Sequence, residues 1–161
     1  SFDEEGNLNY YVGRSIDETN FRYRNAKKKK TDIIFNEIDI DWTKTVTLVE
    51  GVFDAIKCPE NTIPILGSNM PKSSLLYRQL SKFQPDVIVS LDPDMPEKTY
   101  ILADQLSLAG CTVYVTFAPY GRDLGDMSYE KVKNLLSSKI EYNPYMKIKH
   151  KIGALRSGSV F

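Results

Sequence analysis

A single histidine, His150, and two cysteines, Cys58 and Cys111, supply all the imidazole and thiol groups in this chain of 161 residues. The cysteines are far apart and form no CxxC pair, so buried or half-buried thiols are expected rather than a disulfide or a metal site. His150 lies in a basic tail, where a solvated side chain without a catalytic role is expected. No apolar run approaches the roughly 20 residues needed to cross a bilayer, and no signal-peptide pattern opens the chain. No membrane partner is expected, and a cytoplasmic location is the default. An excess of one charge is also absent: lysine plus arginine and aspartate plus glutamate number 21 each. Only the distribution of charge can therefore point to a partner. The chain opens on Ser1 rather than methionine, as expected of a piece of something longer.

What is present is globular composition, 42% hydrophobic and 26% charged, enough for one domain with a small appendage. From Thr45 onward the hydrophobic period alternates regularly. Extended apolar runs occur at "VTLVE", "IPIL", "VIVSLD" and "VYVTF". Helical spacing appears in "SSLLYRQLSKF", "TYILADQLSLAG" and "YEKVKNLLSS", with Gly110 placed to end the second of these. The short "FDAIKC" supplies a turn or two after the first strand. This alternation predicts an α/β fold with a mainly parallel four-stranded sheet and helices on both faces.

Residues 1–44 read as part of a small β-rich lobe, with strands expected at "LNYYVGRSI" and "TDIIFNEI". Residues 45–139 form the α/β domain. Residues 140–161 read as a basic extension with few helix signals, reaching toward a neighbour.

Acids gather where the strands end. The first strand ends on Glu50, with Asp54 about one helical turn on. The third delivers Asp92 and Asp94 in "SLDPDMP", where Pro93 favours a turn. After the fourth comes "PYGRDLGD", carrying Asp123 and Asp126. Ligands of open parallel sheets bind at this carboxyl edge. An acid on a loop is ordinarily just solvated. Three coincidences at corresponding strand ends instead suggest a site where a cation offsets the repulsion. Oxygen-only ligands suit magnesium or manganese.

The run "LVEGVFDAI … VIVSLDPD … GRDLGD" resembles the Toprim domain of bacterial-type DNA primases, type IA and II topoisomerases and certain nucleases. Its Glu-Gly-x-x-Asp spacing is closest to primases. Upstream, "YYVGRSI", "FRYRNA" and "IIFNE" are similar to the lobe that faces Toprim across the groove in phage and bacterial primases. The resemblance spans roughly residues 10 to 130. It implies a catalytic core making short RNA primers on single-stranded DNA during replication. By analogy, Glu50 is a general base or metal ligand, Asp92 and Asp94 hold divalent Mg2+ or Mn2+, Asp123 lines the site, and Asp54 and Asp126 support it. Arg14, Arg22, Arg24 and Asn25 match positions near nucleotide and template. Nucleoside triphosphates and a single-stranded template would be partners, and a replicative helicase is a candidate, in a bacterial or phage-infected cell. A Toprim-type nuclease and a non-catalytic nucleic-acid-binding relic are the alternatives. The sequence departs from primases where Met95, Pro96 and Glu97 follow the Asp-x-Asp pair. It also departs where Asp126 stands three residues after Asp123, which leaves the second ion's ligands open. No zinc-binding module is present, so reading of the template sequence is expected elsewhere.

The run Lys27, Lys28, Lys29 and Lys30 has two readings. It keeps a loop solvated beside an edge strand, or it holds nucleic-acid phosphates without reading bases. Phe21 and Tyr23 are expected to pack rather than to stack on bases. Trp42 is expected to pack where the lobe meets the first strand of the domain.

Overall fold

The computed structural model describes residues 1–16, 23–67, 69–94, 96–119 and 121–156. Arg22 and Phe21, named above, lie outside the described residues, as does Met95.

Strand β3 (Val46–Val49) is fully buried and sits between β4 (Thr62–Pro64) and β5 (Val87–Ser90), both parallel to it. Strand β6 (Val113–Val115) continues the parallel order, and β7 (Ile140–Glu141) closes it antiparallel, giving the order β4-β3-β5-β6-β7. The strands are continuous apolar runs because both faces of the sheet are covered. Val46, Leu48, Val87, Val89, Val113 and Val115 face one core. Helices α2 (Leu75–Phe83) and α3 (Pro96–Leu108) cover it with Leu76, Leu80, Leu102 and Leu106. Val49 and Ile88 face the other core, covered by Val132 and Leu136 of α4 (Tyr129–Ser137) and flanked by α1 (Val52–Ala55). The expected α/β architecture is thus present, with one more strand than the sequence pattern marks.

The helices begin and end where local chemistry directs. Ser74 caps α2 by accepting from the Tyr77 N–H at 3.2 Å, and Gln84 ends it in the left-handed region at φ 49°. Gly110, at φ 97°, ends α3 as expected, in a conformation that penalises any side chain. A Cβ there would also approach the Gln84 side chain to 2.4 Å.

The N-terminal lobe is a two-stranded antiparallel sheet, β1 (Val12–Arg14) with β2 (Tyr23–Asn25). "TDIIFNEI" is not a strand. It has 3-10 turns at Lys30–Asp32 and Glu37–Asp39, separated by Asn36 in the left-handed region at φ 52°. The reason lies in its two consecutive isoleucines. Ile33 joins a small core with Tyr10 and Leu66, while Ile34 joins the main one. A half-exposed strand would need alternation instead. The Ile34 carbonyl accepts from the Asn9 side chain at 3.0 Å, a partner that replaces a sheet neighbour.

The tail also differs from expectation. Residues 140–141 join the sheet, and α5 (Pro144–Arg156) packs on α3. Asp104 of α3 accepts from Tyr142 Oη and from Lys147 Nζ, and Lys151 pairs with Glu97 at 3.3 Å. His150 is half-buried, its ring 5.4 Å from that of Tyr100, rather than solvated. Trp42 stacks on Phe83 at 5.6 Å, and both cysteines are buried. Burial, with the Asp54 charge adding to it, pushes the Cys58 thiol up to about 12, out of reactive range.

Asp104 is the acceptor that latches α5. Asp104→Ala should lower the free energy of urea unfolding by about 1–3 kcal/mol, since it strands Tyr142 and Lys147 together. Tyr142→Phe should cost less, about 1 kcal/mol, because only one hydrogen bond is lost. Equal midpoints for Asp104→Ala and wild type would show that the latch contributes nothing.

Candidate active site

Register brings the acids together. Val49 lies beside Ser90, so Glu50, one residue past that last pair, and Asp92, two residues past it, leave adjacent strands at the same edge. The Asp92 N–H donates to the Glu50 carboxylate. A groove of about 510 Å³ opens at this edge. Glu50, Asp54, Asp92, Asp123 and Asp126 line its floor, and Arg14, Tyr23, Asn25 and Lys30 line the facing lobe.

Asp54 ties the floor together. One carboxylate oxygen accepts from the Gly51 N–H at 2.9 Å, and the other from the Gly125 N–H at 3.0 Å. It thereby links the turn after β3 to the loop after β6. A Cβ on Gly51 would stand 3.0 Å from Oδ2 of Asp54, and one on Gly125 would stand 3.2 Å from its Oδ1. Glycine at both places lets the backbone approach the carboxylate. Asp123 accepts from the Asp126 N–H at 2.9 Å, so one of its oxygens caps the 3-10 turn at Leu124–Asp126.

Burial first, and neighbouring charge second, hold these carboxylates away from their ordinary ionisation. Burial raises the Asp92 carboxyl to about 6, with the charges of Glu50, Asp54, Asp123 and Asp94 adding to it. Burial likewise raises Glu50, reinforced by Asp94 and Asp54 and opposed by Lys98 and the Asp92 N–H. Asp54 is raised by burial, partly offset by its two backbone donors, while Asp123 and Asp126 add to the rise. Among the described residues, no three acidic, histidine or cysteine side chains are gathered closely enough to form a metal cage. The donor chemistry nonetheless fits a hard divalent cation, since every candidate ligand is a carboxylate and the charges of Glu50 and Asp123 add to the raised Asp92 pKa. Glu50, Asp92 and the uncommitted oxygen of Asp123 could turn onto such an ion, whereas both oxygens of Asp54 are held by backbone.

The other expected site residues divide by geometry. Tyr23 and Asn25 point into the groove, while Arg24 between them lies outside it, as the period of two in a strand requires. Arg14 lies across from Tyr23, its guanidinium 5.8 Å from that ring and 5.6 Å from the Phe53 ring. Asp94 is exposed and does not line the groove, nor do Lys27, Lys28 and Lys29. Lys30 does line it, but its Nζ donates to the Leu66 carbonyl at 2.7 Å, so it fastens the lobe to the loop after β4. Tyr23 is exposed rather than packed away, and meets Phe53 at 6.1 Å between ring centroids. Phe53 itself is the site residue that sequence reasoning passed over. Its signal was its place between Glu50 and Asp54, on the single turn that must face the ligand edge.

The raised carboxyls set a pH dependence. The folded Asp92 pKa of about 6 exceeds the unfolded value of about 3.9. Between these the native state holds a proton that the unfolded chain has lost, so stability falls as pH rises through this window. With divalent ions chelated, the melting temperature should be higher at pH 5 than at pH 7.5, and Asp92→Asn should flatten most of that slope. Asp41, lowered to about 2 by hydrogen bonds from Thr43, acts only in stronger acid. A wild-type melting temperature that rises from pH 5 to 7.5 would contradict the crowding of charge described here.

No protein-family model matches the sequence, and no curated protein matches it. Among solved structures, the chain is similar to the zinc-binding and RNA polymerase domains of the Aquifex aeolicus primase. The TM-score is 0.70 at 24% identity, covering 88% of this chain and 39% of that one. It is also similar to the RNA polymerase domain of the Mycobacterium tuberculosis primase DnaG, with TM-score 0.62, 14% identity, and 87% and 54% of the two chains covered. The same domain in complex with double-stranded DNA gives TM-score 0.64, 18% identity, and 87% and 52% coverage. The chain thus spans 39% to 54% of the length of these neighbours. At these identities the likeness establishes the fold: a primase-type arrangement of a mainly parallel sheet facing a small antiparallel lobe.

Proposed function

We propose that this chain is the catalytic core of a Toprim-type DNA primase, joining ribonucleotides into short primers on single-stranded DNA. One observation carries the reading: five carboxylates at the sheet's carboxyl edge face Arg14, Tyr23 and Asn25 of the lobe across a single groove. A nuclease acting through the same acids has no need of that opposing wall. Asp94, exposed and off the groove, is the observation that favours a non-catalytic relic instead.

In the proposed reaction the primer 3′ hydroxyl attacks the α-phosphate. A new P–O bond forms, the bond to pyrophosphate breaks, and the hydroxyl proton leaves to a base. Glu50 is suited to accept it, because burial already raises its affinity for a proton. Asp92, Asp94 and Asp123 would hold Mg2+ or Mn2+, with Asp94 turning inward; in the alternative assignment Glu50 is a ligand and not the base. Such ions supply Lewis-acid activation of the hydroxyl and charge neutralisation at the leaving oxygen. Arg14 faces the acids with a fork suited to phosphate oxygens, and the rings of Tyr23 and Phe53 keep its guanidinium oriented. Asp54 and Asp126 position the floor. A nucleoside triphosphate and a single-stranded template are the partners of this reading, in the cytoplasm of a bacterial or phage-infected cell, with a replicative helicase beside them. Among the described residues, no helix is long and apolar enough to cross a membrane.

Primer synthesis with magnesium or manganese on single-stranded DNA, alongside a nuclease control, tests the reading. Asp92→Asn should reduce nucleotide transfer by at least 100-fold, within the range for loss of a charged group acting in the transition state. Millimolar manganese should raise the wild-type melting temperature, and the mutant's much less, because an ion bound only by the folded state stabilises it. Template cleavage without primers would select the nuclease. A melting temperature indifferent to both ions, with neither activity, would select the relic.

The lysine run gives a separate test. Lys30 is engaged with Leu66, so only Lys27, Lys28 and Lys29 are free to meet phosphates. Replacing these three with alanine should flatten the log–log salt dependence of single-stranded DNA binding by up to about 2, at roughly 0.7 per lost contact. Identical slopes would leave the run a solvated loop.

A further inference from the structure

Helix α5 packs one side against α3 and presents an apolar stripe on the other. Met146, Lys147 and His150 turn toward α3, where Lys147 meets Asp104 and His150 meets Tyr100. On the other side Tyr145, Ile148, Ile152 and Leu155 stand 69%, 53%, 44% and 67% exposed. They are spaced three, four and three residues apart. At about 100° per residue they share an arc of roughly 80°, facing away from α3. Single exposed hydrophobic residues need no explanation, but a contiguous stripe at heptad spacing on one helix does.

The charges beside the stripe narrow its occupant. Helix α5 carries no acid along its 13 residues. Two of its cations are neutralised by α3, Lys147 by Asp104 and Lys151 by Glu97. Lys149 and Arg156 fall together along one edge of the stripe, and among the described residues no carboxylate makes a salt bridge with either. A second copy of α5 laid antiparallel on this face would set Lys149 and Arg156 against their own counterparts.

We propose that this face docks a helix of a partner protein, one with an apolar stripe at heptad spacing and acidic residues along the edge that meets Lys149 and Arg156. Apolar contact between the stripes supplies the attachment, and the charged edge sets orientation and choice of partner. The proposal does not rest on the primase reading, since no residue of the groove takes part.

The test uses the full chain and a fluorescein-labelled synthetic peptide of three heptads, with leucine at the a and d positions and glutamate at e and g. A second peptide replaces each glutamate with lysine. Fluorescence anisotropy should show binding of the glutamate peptide, weakened by added salt, and at least tenfold weaker binding of the lysine peptide. Ile148→Asp with Ile152→Asp should lower affinity for the glutamate peptide at least tenfold while leaving the melting temperature unchanged, because both side chains are exposed. Lys149→Glu with Arg156→Glu should reverse the preference between the peptides, which keeps the test decisive should the isoleucine variant fold poorly. Absent binding, or equal binding of both peptides, overturns the proposal. So does a dimer in light scattering that the isoleucine variant dissolves, which would assign the face to a second copy. Sedimentation with phosphatidylserine vesicles, lost in the same variant, would assign it to a lipid surface and overturn the proposal equally.

Discussion

Repulsion among carboxylates at the carboxyl edge of the sheet is the constraint around which this chain is organised. Parallel pairing of β3 with β5 forces Glu50 and Asp92 to adjacent strand ends, and the loop after β6 adds Asp123 and Asp126. Like charges brought this close work against the folded state unless hydrogen bonds or a cation offset them. The structure offsets part of this with backbone. Asp54 accepts from two glycine N–H groups, Asp123 from one N–H, and Glu50 from the Asp92 N–H. What backbone does not offset adds to the effect of burial, which is the larger cause of the raised Asp92 carboxyl. Strain of this kind is found where a ligand is meant to relieve it.

The small lobe makes sense beside that edge. It has only a two-stranded sheet, too little to be stable alone, and is held by a minor core of Tyr10, Ile33 and Leu66 and by Lys30 on the Leu66 carbonyl. Leu66 adopts the left-handed region at φ 58°, an uncommon conformation for leucine that turns its carbonyl and side chain into this junction. The lobe's attachment thus runs through the same loop that borders the groove. A change in the groove would be felt by the lobe, and the aromatic contact of Tyr23 with Phe53 is a second link between the two.

Much of this was legible in the sequence. Continuous β-branched runs with helical spacing between them allow only a mainly parallel sheet covered on both faces, because a strand apolar at every position must be buried on both sides. Acids at the ends of three such runs then fall at one edge by topology alone. That glycine at 51 and 125 lets the Asp54 carboxylate approach the backbone emerged only from the folded chain. What the sequence read poorly was the tail. Pro144 at the first helical position and the spacing of Tyr145, Ile148, Ile152 and Leu155 were helix signals, masked by the many lysines around them.

Periodicity and strand-end chemistry therefore determined the fold class and the identity of the acidic edge, since both follow from interactions between near neighbours in the chain. Tertiary structure alone decided which of those residues act together. Strand alternation turned Tyr23 and Asn25 into the groove and Arg24 out of it. A loop distant in sequence took up the Lys30 ammonium, and the path after Pro93 left Asp94 outside the groove. It also decided that "TDIIFNEI" would bridge two cores instead of pairing as a strand. These outcomes depend on which surfaces meet, and no local pattern encodes a contact between residues that only folding brings together.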